Sequence, residues 1–240
     1  MLERSARLLA IANLRHGFST RLGGTSIDFG ADKAEAEAAR ARFLAALGEE
    51  DALALAEVDQ VHGATVLELS APQRGGVEAD GMTSAARGLA LAIRTADCAP
   101  VLIAALDGRG NAEAVAAVHA GWRGAVADIP GIAVAQLRDR GARHLVAAIG
   151  PTIGADDFEV GDEVIAAAES VLAGPVKKHR GPRDRWHLDL VALVESLLLR
   201  AGVAEVERVG GSTVADAARY HSYRREQGRS GRHLSAIALV

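Results

Sequence analysis

The stretch GLALAIRTADCAPVLIAAL, residues 88–106, is apolar at both ends and broken in the middle by RTADCAP. Apolar runs of this length between polar breaks read as buried strands. Pro100 cannot donate to a sheet ladder, so Cys98 falls at or beside a strand irregularity. The segment AEAVAAVHAGWRG, 112–124, follows as a strand running into a glycine turn, and AVADIPGIAVAQLRDRGA, 125–142, reads as a helix. Strand, polar turn and helix in that order commonly carry sites in α/β proteins.

Upstream, ADKAEAEAARARFLAALG, 31–48, is a strong helix former closed by Gly48 as C-cap. EVDQVHGATVLEL, 57–69, reads as two short strands or one bent strand with QVHG at the irregular point. Downstream, HLVAAIGPTIG, 144–154, is a strand ended by a Gly-Pro turn, and GDEVIAAAESVLAG, 161–174, is a helix capped by Gly174. The charged, proline-containing GPVKKHRGPRDRWHLDL, 174–190, reads as an exposed loop. A helix over DLVALVESLLLRAG, 189–202, and a last apolar strand HLSAIALV, 233–240, complete the pattern. Helices and strands alternate only loosely, so the expected fold is α/β, a mixed sheet with flanking helices, in a single domain over 1–240.

With 49% hydrophobic and 24% charged residues, the 240-residue chain can bury a large core. A net charge of −4 and 3% aromatic residues supply neither a basic stripe nor stacking platforms, which argues against nucleic acid as a partner. One cysteine makes no internal disulfide, the N-terminal apolar run is short and interrupted, and no run reaches the length of a membrane span. A cytoplasmic location away from membranes is the expectation; the oligomeric state is not legible.

Three segments put His62, Cys98 and His119 on turns after apolar runs. Two imidazoles and a thiolate suit Zn²⁺ with a fourth position open. The separations of 36 (62 to 98) and 21 (98 to 119) residues do not by themselves bring the three together. Packing of Cys98 as a small apolar group, and a cysteine nucleophile with His119 as base and Asp97 as orienter, remain open on these residues alone. Arg21 in STRLGG, Arg123 in GWRG and Arg224 in SYRREQG stand beside glycine or serine, a context suited to an anionic or polar substrate. No phosphate loop or dinucleotide fingerprint is present in the sequence.

Taken in order, HGFSTRLGGTS, DQVHGATV, ADGMTS, TADCAPVLI, VHAGWRG, IGPTIG, FEVGDEV and HSYRREQGRSGR resemble the motifs of the multicopper polyphenol oxidoreductase (laccase-like) family, also called the YfiH family. TADC followed by HAGWRG is the most specific pair. The resemblance implies a fold similar to the catalytic domain of cytotoxic necrotizing factor and a zinc ion held by His62, Cys98 and His119. It also implies phosphorolysis of adenosine, inosine, guanosine or methylthioadenosine, with deamination of adenosine. Arg21, Arg123 and Arg224 are then the expected contacts to phosphate or other polar groups. Gln60 is a further expected substrate contact, and Asp97 is another or the group that orients a histidine.

The chain departs from the family pattern at Ser212, which stands where many members carry a second cysteine, and in TSIDFGADKAEAEA, where an Asn-rich stretch is common. Copper oxidases with several metals need many His and Cys ligands. Eight histidines, one cysteine and no HxH pair do not provide them, so copper is not expected. The alternatives are a cysteine-dependent hydrolase or amidase acting on a peptidoglycan precursor, a polyphenol oxidase, and a non-enzymatic metal-binding partner protein.

Overall fold

The computed structural model describes residues 1–48 and 52–240. The chain begins with β1 (Leu2–Glu3), α1 (Ala6–Leu9), β2 (Leu14–Ser19), α2 (Lys33–Leu47), β3 (Ala54–Asp59), β4 (Val66–Glu68) and β5 (Arg74–Glu78). It continues through β6 (Gly81–Ser84), β7 (Leu89–Thr95), β8 (Ala99–Leu106), β9 (Ala112–Ala120), α3 (Trp122–Val126), α4 (Ile129–Asp139) and β10 (His144–Ile149). The last elements are β11 (Glu159–Val160), α5 (Asp162–Leu172), β12 (Lys178–Arg180), β13 (Trp186–Leu188), α6 (Leu190–Arg200), β14 (Glu205–Arg208) and β15 (His233–Leu239).

Two six-stranded sheets face each other, ordered β1-β2-β15-β7-β3-β5 and β14-β10-β8-β9-β6-β4. Both are mixed: β3 runs parallel to β7, and β10 parallel to β14, among antiparallel neighbours. The period-two alternation of strand side chains explains the layering. On β8, Leu102 and Ala104 join Leu91 and Ile93 of β7 in the core between the sheets. Val101, Ile103 and Ala105 point the other way and pack with α4, α5 and α6. On the outer face of the first sheet, Ala90, Ala92 and Leu234 pack against Phe43 and Leu47 of α2. The result is a helix, sheet, sheet, helix stack, the mixed α/β fold expected from the sequence.

The stretch 88–106 bends between the two sheets, with β7 in the first and β8 in the second. The QVHG break does the same, since β3 and β4 also lie in different sheets. Asp32 caps α2 with a full capping box to Glu35, and Gly48 follows in extended rather than left-handed backbone. The helix expected over 125–142 is divided at Asp128, whose left-handed backbone (φ 56°) ends α3 and whose side chain accepts the Gly131 N–H at the start of α4.

Two local expectations are corrected. Helix α5 ends at Leu172 with Ala173, in left-handed backbone, as its C-cap, while the Gly174 N–H returns to the Glu169 carbonyl. The segment 174–190 is not simply an exposed loop. It forms β12 and β13, which join β11 in a three-stranded sheet, and buries His187 and Leu188. The Trp186 ring explains the pairing: Lys178 and Arg180 stack on it at 4.8 and 3.9 Å, so the charges that suggest a loop hold an aromatic pair of strands.

Two buried histidines make the fold sensitive to acid. Burial, and then the nearby Arg4, hold His16 down to about 4, while its Nε2 accepts the Ser5 N–H at 2.8 Å. Burial, and then His221, lower His233 to about 3, and its Nε2 accepts the His221 N–H. Unfolded imidazoles bind protons near 6.5, so the stability that these neutral rings contribute is complete above that pH. It is lost as pH falls toward the folded values, by roughly 3 kcal/mol for His16 between pH 6.5 and 4 at about 1.4 kcal/mol per unit. Chemical denaturation followed across that window is expected to show a falling unfolding free energy. His16→Gln, which keeps an acceptor for Ser5 and cannot titrate, is expected to flatten the fall by about one proton's slope; an unchanged slope contradicts the assignment.

Candidate metal centre and cleft

The Asp80 carboxylate, fully buried just before β6, organises one end of the sandwich. Its Oδ1 accepts the His62 N–H at 2.9 Å and meets His119 Nδ1 at 2.7 Å. Its Oδ2 accepts the N–H groups of Gly63 at 2.7 Å and Val61 at 3.2 Å. Three consecutive amides thus close around one carboxylate, and His62 takes a left-handed φ of 61° to make the turn. These bonds, with His119, hold the carboxyl below its ordinary value against the opposing effect of burial. Because Asp80 engages Nδ1 of His119, it is Nε2 of that ring that is left for a ligand.

His119 is the penultimate residue of β9, beside β8, where its register partner is Pro100. Cys98 sits two residues earlier, on the bend between the sheets. The ligand atoms of His62, Cys98 and His119 lie within 4.8 Å of one another, and the two imidazoles meet edge-on at 4.8 Å. Bonds of about 2.0–2.3 Å to one ion are within reach of such a set after small side-chain rotations. Gly121 is part of the cradle, since a Cβ there would lie 3.0 Å from Cys98 Sγ and 3.2 Å from His62 Cδ2. The donor set, one soft sulfur and two imidazoles with an orienting carboxylate behind, fits a divalent cation such as zinc. Among the described residues this is the one cluster of three such ligands.

Burial opposes ionisation of the Cys98 thiol, but hydrogen bonds to His119 and His62 outweigh it and bring the thiol to about 7. Burial likewise opposes charge on His119, while Asp80 and Cys98 raise it to about 9. Thiolate and imidazolium therefore stabilise each other.

The triad opens into a cleft of about 770 Å³, within the size range of small-molecule sites. Gln60, Asp97, Arg123 and Arg224 line it, as do Trp122 and Tyr223. Their bonding distinguishes them. Gln60 is held by the backbone of Arg94, donating from Nε2 to its carbonyl at 2.8 Å and accepting its N–H at 2.7 Å. Asp97, left-handed at φ 87°, accepts from the Thr213 hydroxyl at 2.5 Å and the Arg224 N–H at 2.7 Å. Its own carbonyl accepts from Thr152 and Ile153. Asp97 thus fixes the bend that presents Cys98, and the carboxylate that orients His119 is Asp80. Arg123 stacks over Trp122 at 4.5 Å. Arg224 donates to the carbonyls of Asp157 and Glu159. Arg21 does not line the cleft; it bonds to the Ala217 carbonyl and Glu226.

Sequence reasoning passed over Asp80, although the ADGMTS motif contains it; an aspartate directly before a glycine and a short buried strand is the one signal available. It also passed over Trp122, Phe158, Tyr223, Arg94 and Arg232. Ser212, at the position of the missing second cysteine, lies away from the triad, donating to Asp157 and accepting from Gly154 and Ala215.

The chain resembles proteins of related sequence and structure along most of its length. It is 38% identical to a purine nucleoside phosphorylase of Deinococcus radiodurans, over 97% of this chain and 92% of that protein. It is 34% identical to purine nucleoside phosphorylase YfiH of Escherichia coli K12, over 76% of this chain and 73% of that protein. Among solved structures, YlmD from Geobacillus stearothermophilus superposes with a TM-score of 0.83 at 27% identity, covering 98% of this chain and 94% of that one. The Neisseria meningitidis protein NMB0706 gives 0.81 at 30% identity, covering 99% and 98%. The sequence pattern of the multi-copper polyphenol oxidoreductase laccase family matches residues 15–240. The chain belongs to that family.

Proposed function

We propose that this chain is a purine nucleoside phosphorylase that works as a single domain over residues 1–240, with a zinc site formed by His62, Cys98 and His119. The observation that carries the reading is the convergence of those three side chains, backed by Asp80, at the base of a cleft with aromatic and arginine walls. Relatives along nearly the whole chain bear the name purine nucleoside phosphorylase. Adenosine, inosine, guanosine and methylthioadenosine are the substrates in this reading, with hydrolytic deamination of adenosine as a second activity.

When bound, the ion supplies Lewis-acid chemistry at the cleft floor. The chain's own residues do the rest. Asp80 fixes the orientation of His119 and of the His62 turn, Asp97 fixes the bend at Cys98, and Trp122 and Tyr223 offer faces to a purine. In phosphorolysis a phosphate oxygen bonds to C1′, the C1′–N9 bond breaks, and its electron pair leaves with the purine, which is then protonated. Zinc is favoured over several coppers because the described residues hold one cluster of ligands with one sulfur.

A second reading draws on the Cys98 thiol at about 7 beside a histidine that a carboxylate orients. That is the arrangement of a cysteine nucleophile, its base and its orienter, suited to a hydrolase or amidase acting on a peptidoglycan precursor.

Purified protein is expected to release ribose-1-phosphate from inosine and phosphate, and His62→Ala to lower kcat/KM by at least about 100-fold with the fold intact. A cysteine hydrolase would retain Cys98-dependent activity after chelation; no phosphorolysis by the metal-loaded protein refutes the lead reading. Asp80→Asn is expected to weaken metal binding by about 10–100-fold, measured by competition with a chromophoric chelator. Unchanged affinity would remove Asp80 from the site.

A further inference from the structure

The arginines of the cleft differ in what already holds them. Arg224 is engaged by two backbone carbonyls, and Arg123 lies over Trp122. Arg94 and Arg232 are held at their backbones as well as at their side chains, with Arg94 Nη2 donating to the Val58 carbonyl at 3.5 Å. Arg94 is the half-buried, penultimate residue of the otherwise buried β7, and the Gln60 amide grips its N–H and carbonyl. Arg232 directly precedes β15 and exchanges two backbone hydrogen bonds with Ile27, at 2.7 and 2.9 Å.

Their placement follows from register. Leu234 stands opposite Arg94, and Arg232 is two positions before Leu234. Side-chain alternation therefore puts Arg232 on the same sheet face as Arg94, as its diagonal neighbour at about 7–8 Å. Both line the cleft that contains Cys98. The carboxylate within reach of Arg94 is Glu57, at 3.8 Å, and Arg40 Nε already holds it at 2.5 Å. Arg232 bonds through Nη1 to the carbonyls of Ser230 and Gly231 and stacks 5.7 Å from the Tyr223 ring; among the described residues it has no carboxylate in ion-pair contact. Each fork keeps N–H donors beyond these contacts. Two planar forks fixed on one sheet face suit the several oxygens of a tetrahedral anion.

We propose that Arg94 and Arg232 form a two-arginine subsite for a tetrahedral oxyanion, inorganic phosphate, in the cleft. The subsite deepens, and rests on, the phosphorylase reading. It replaces Arg21, which lies outside the cleft, as the anion contact expected from the sequence.

The test titrates inorganic phosphate into the full chain without nucleoside, by calorimetry, alongside steady-state assays with inosine. Arg94→Gln and Arg232→Gln are each expected to raise the phosphate Kd at least tenfold, and the phosphate KM likewise, with the inosine KM changed less than threefold. Arg94→Lys and Arg232→Lys, which keep the charge and lose the fork, are expected to fall between wild type and Gln; Arg21→Gln is expected to match wild type. Far-ultraviolet circular dichroism identifies any variant that fails to fold, and the Lys forms then serve in its place. Phosphate binding unchanged in both pairs of variants, lost only in Arg123→Gln, or absent in wild type overturns the subsite. Phosphate binding that depends on both arginines, in a protein that leaves inosine intact, supports the subsite and refutes the phosphorylase reading.

Discussion

One buried carboxylate organises the candidate centre. Asp80 accepts from three successive amides, 61 to 63, and from the His119 ring, so both imidazoles are set by a single group. A fully buried aspartate is costly unless its oxygens are satisfied, and here four donors meet it. The same bonds that solvate the charge compel His62 into a left-handed turn. Satisfying the carboxylate and building the site are one structural event.

The surrounding fold explains why the site is at this end of the molecule. The chain crosses from the first sheet to the second between β3 and β4 and again between β7 and β8. His62 lies on the first crossing and Cys98 on the second. The end of β9 brings His119 to the same edge, and Gly121 leaves the space that their side chains fill. Asp97 then ties the second crossing to Thr152, Thr213 and Arg224, joining segments far apart in the chain to the cleft. Rigidity at the floor comes from this network; the aromatic and arginine walls are carried by the start of α3 (Trp122, Arg123), the end of β7 (Arg94) and the turn at Tyr223 and Arg224.

Much of the layer structure was legible because it rests on local pattern. The apolar runs flanking RTADCAP became β7 and β8, and the Asp32 capping box with its alanine-rich sequel became α2. The division of 125–142 at Asp128 was not, since a left-handed aspartate leaves no mark on helical periodicity. Nor were β12 and β13, whose pairing depends on cations stacking on Trp186 within a segment that reads as charged loop. His62, Cys98 and His119 could be picked out singly, but their meeting depends on two sheet crossings that spacing does not encode. The arginines show the limit most clearly: a glycine-rich context marked Arg21, whereas cleft position separates it from Arg94 and Arg232.

The central claim is that Asp80 has arranged His62, Cys98 and His119 to hold one divalent ion. X-ray absorption at the zinc edge, on protein purified without added chelator, tests it most directly. The account predicts about one zinc per chain with a first shell of one sulfur and two imidazole nitrogens, completed by a light atom, and loss of the sulfur contribution in Cys98→Ser. A stoichiometric metal whose shell contains no sulfur, or native protein that neither carries nor takes up a metal at this shell, would contradict it.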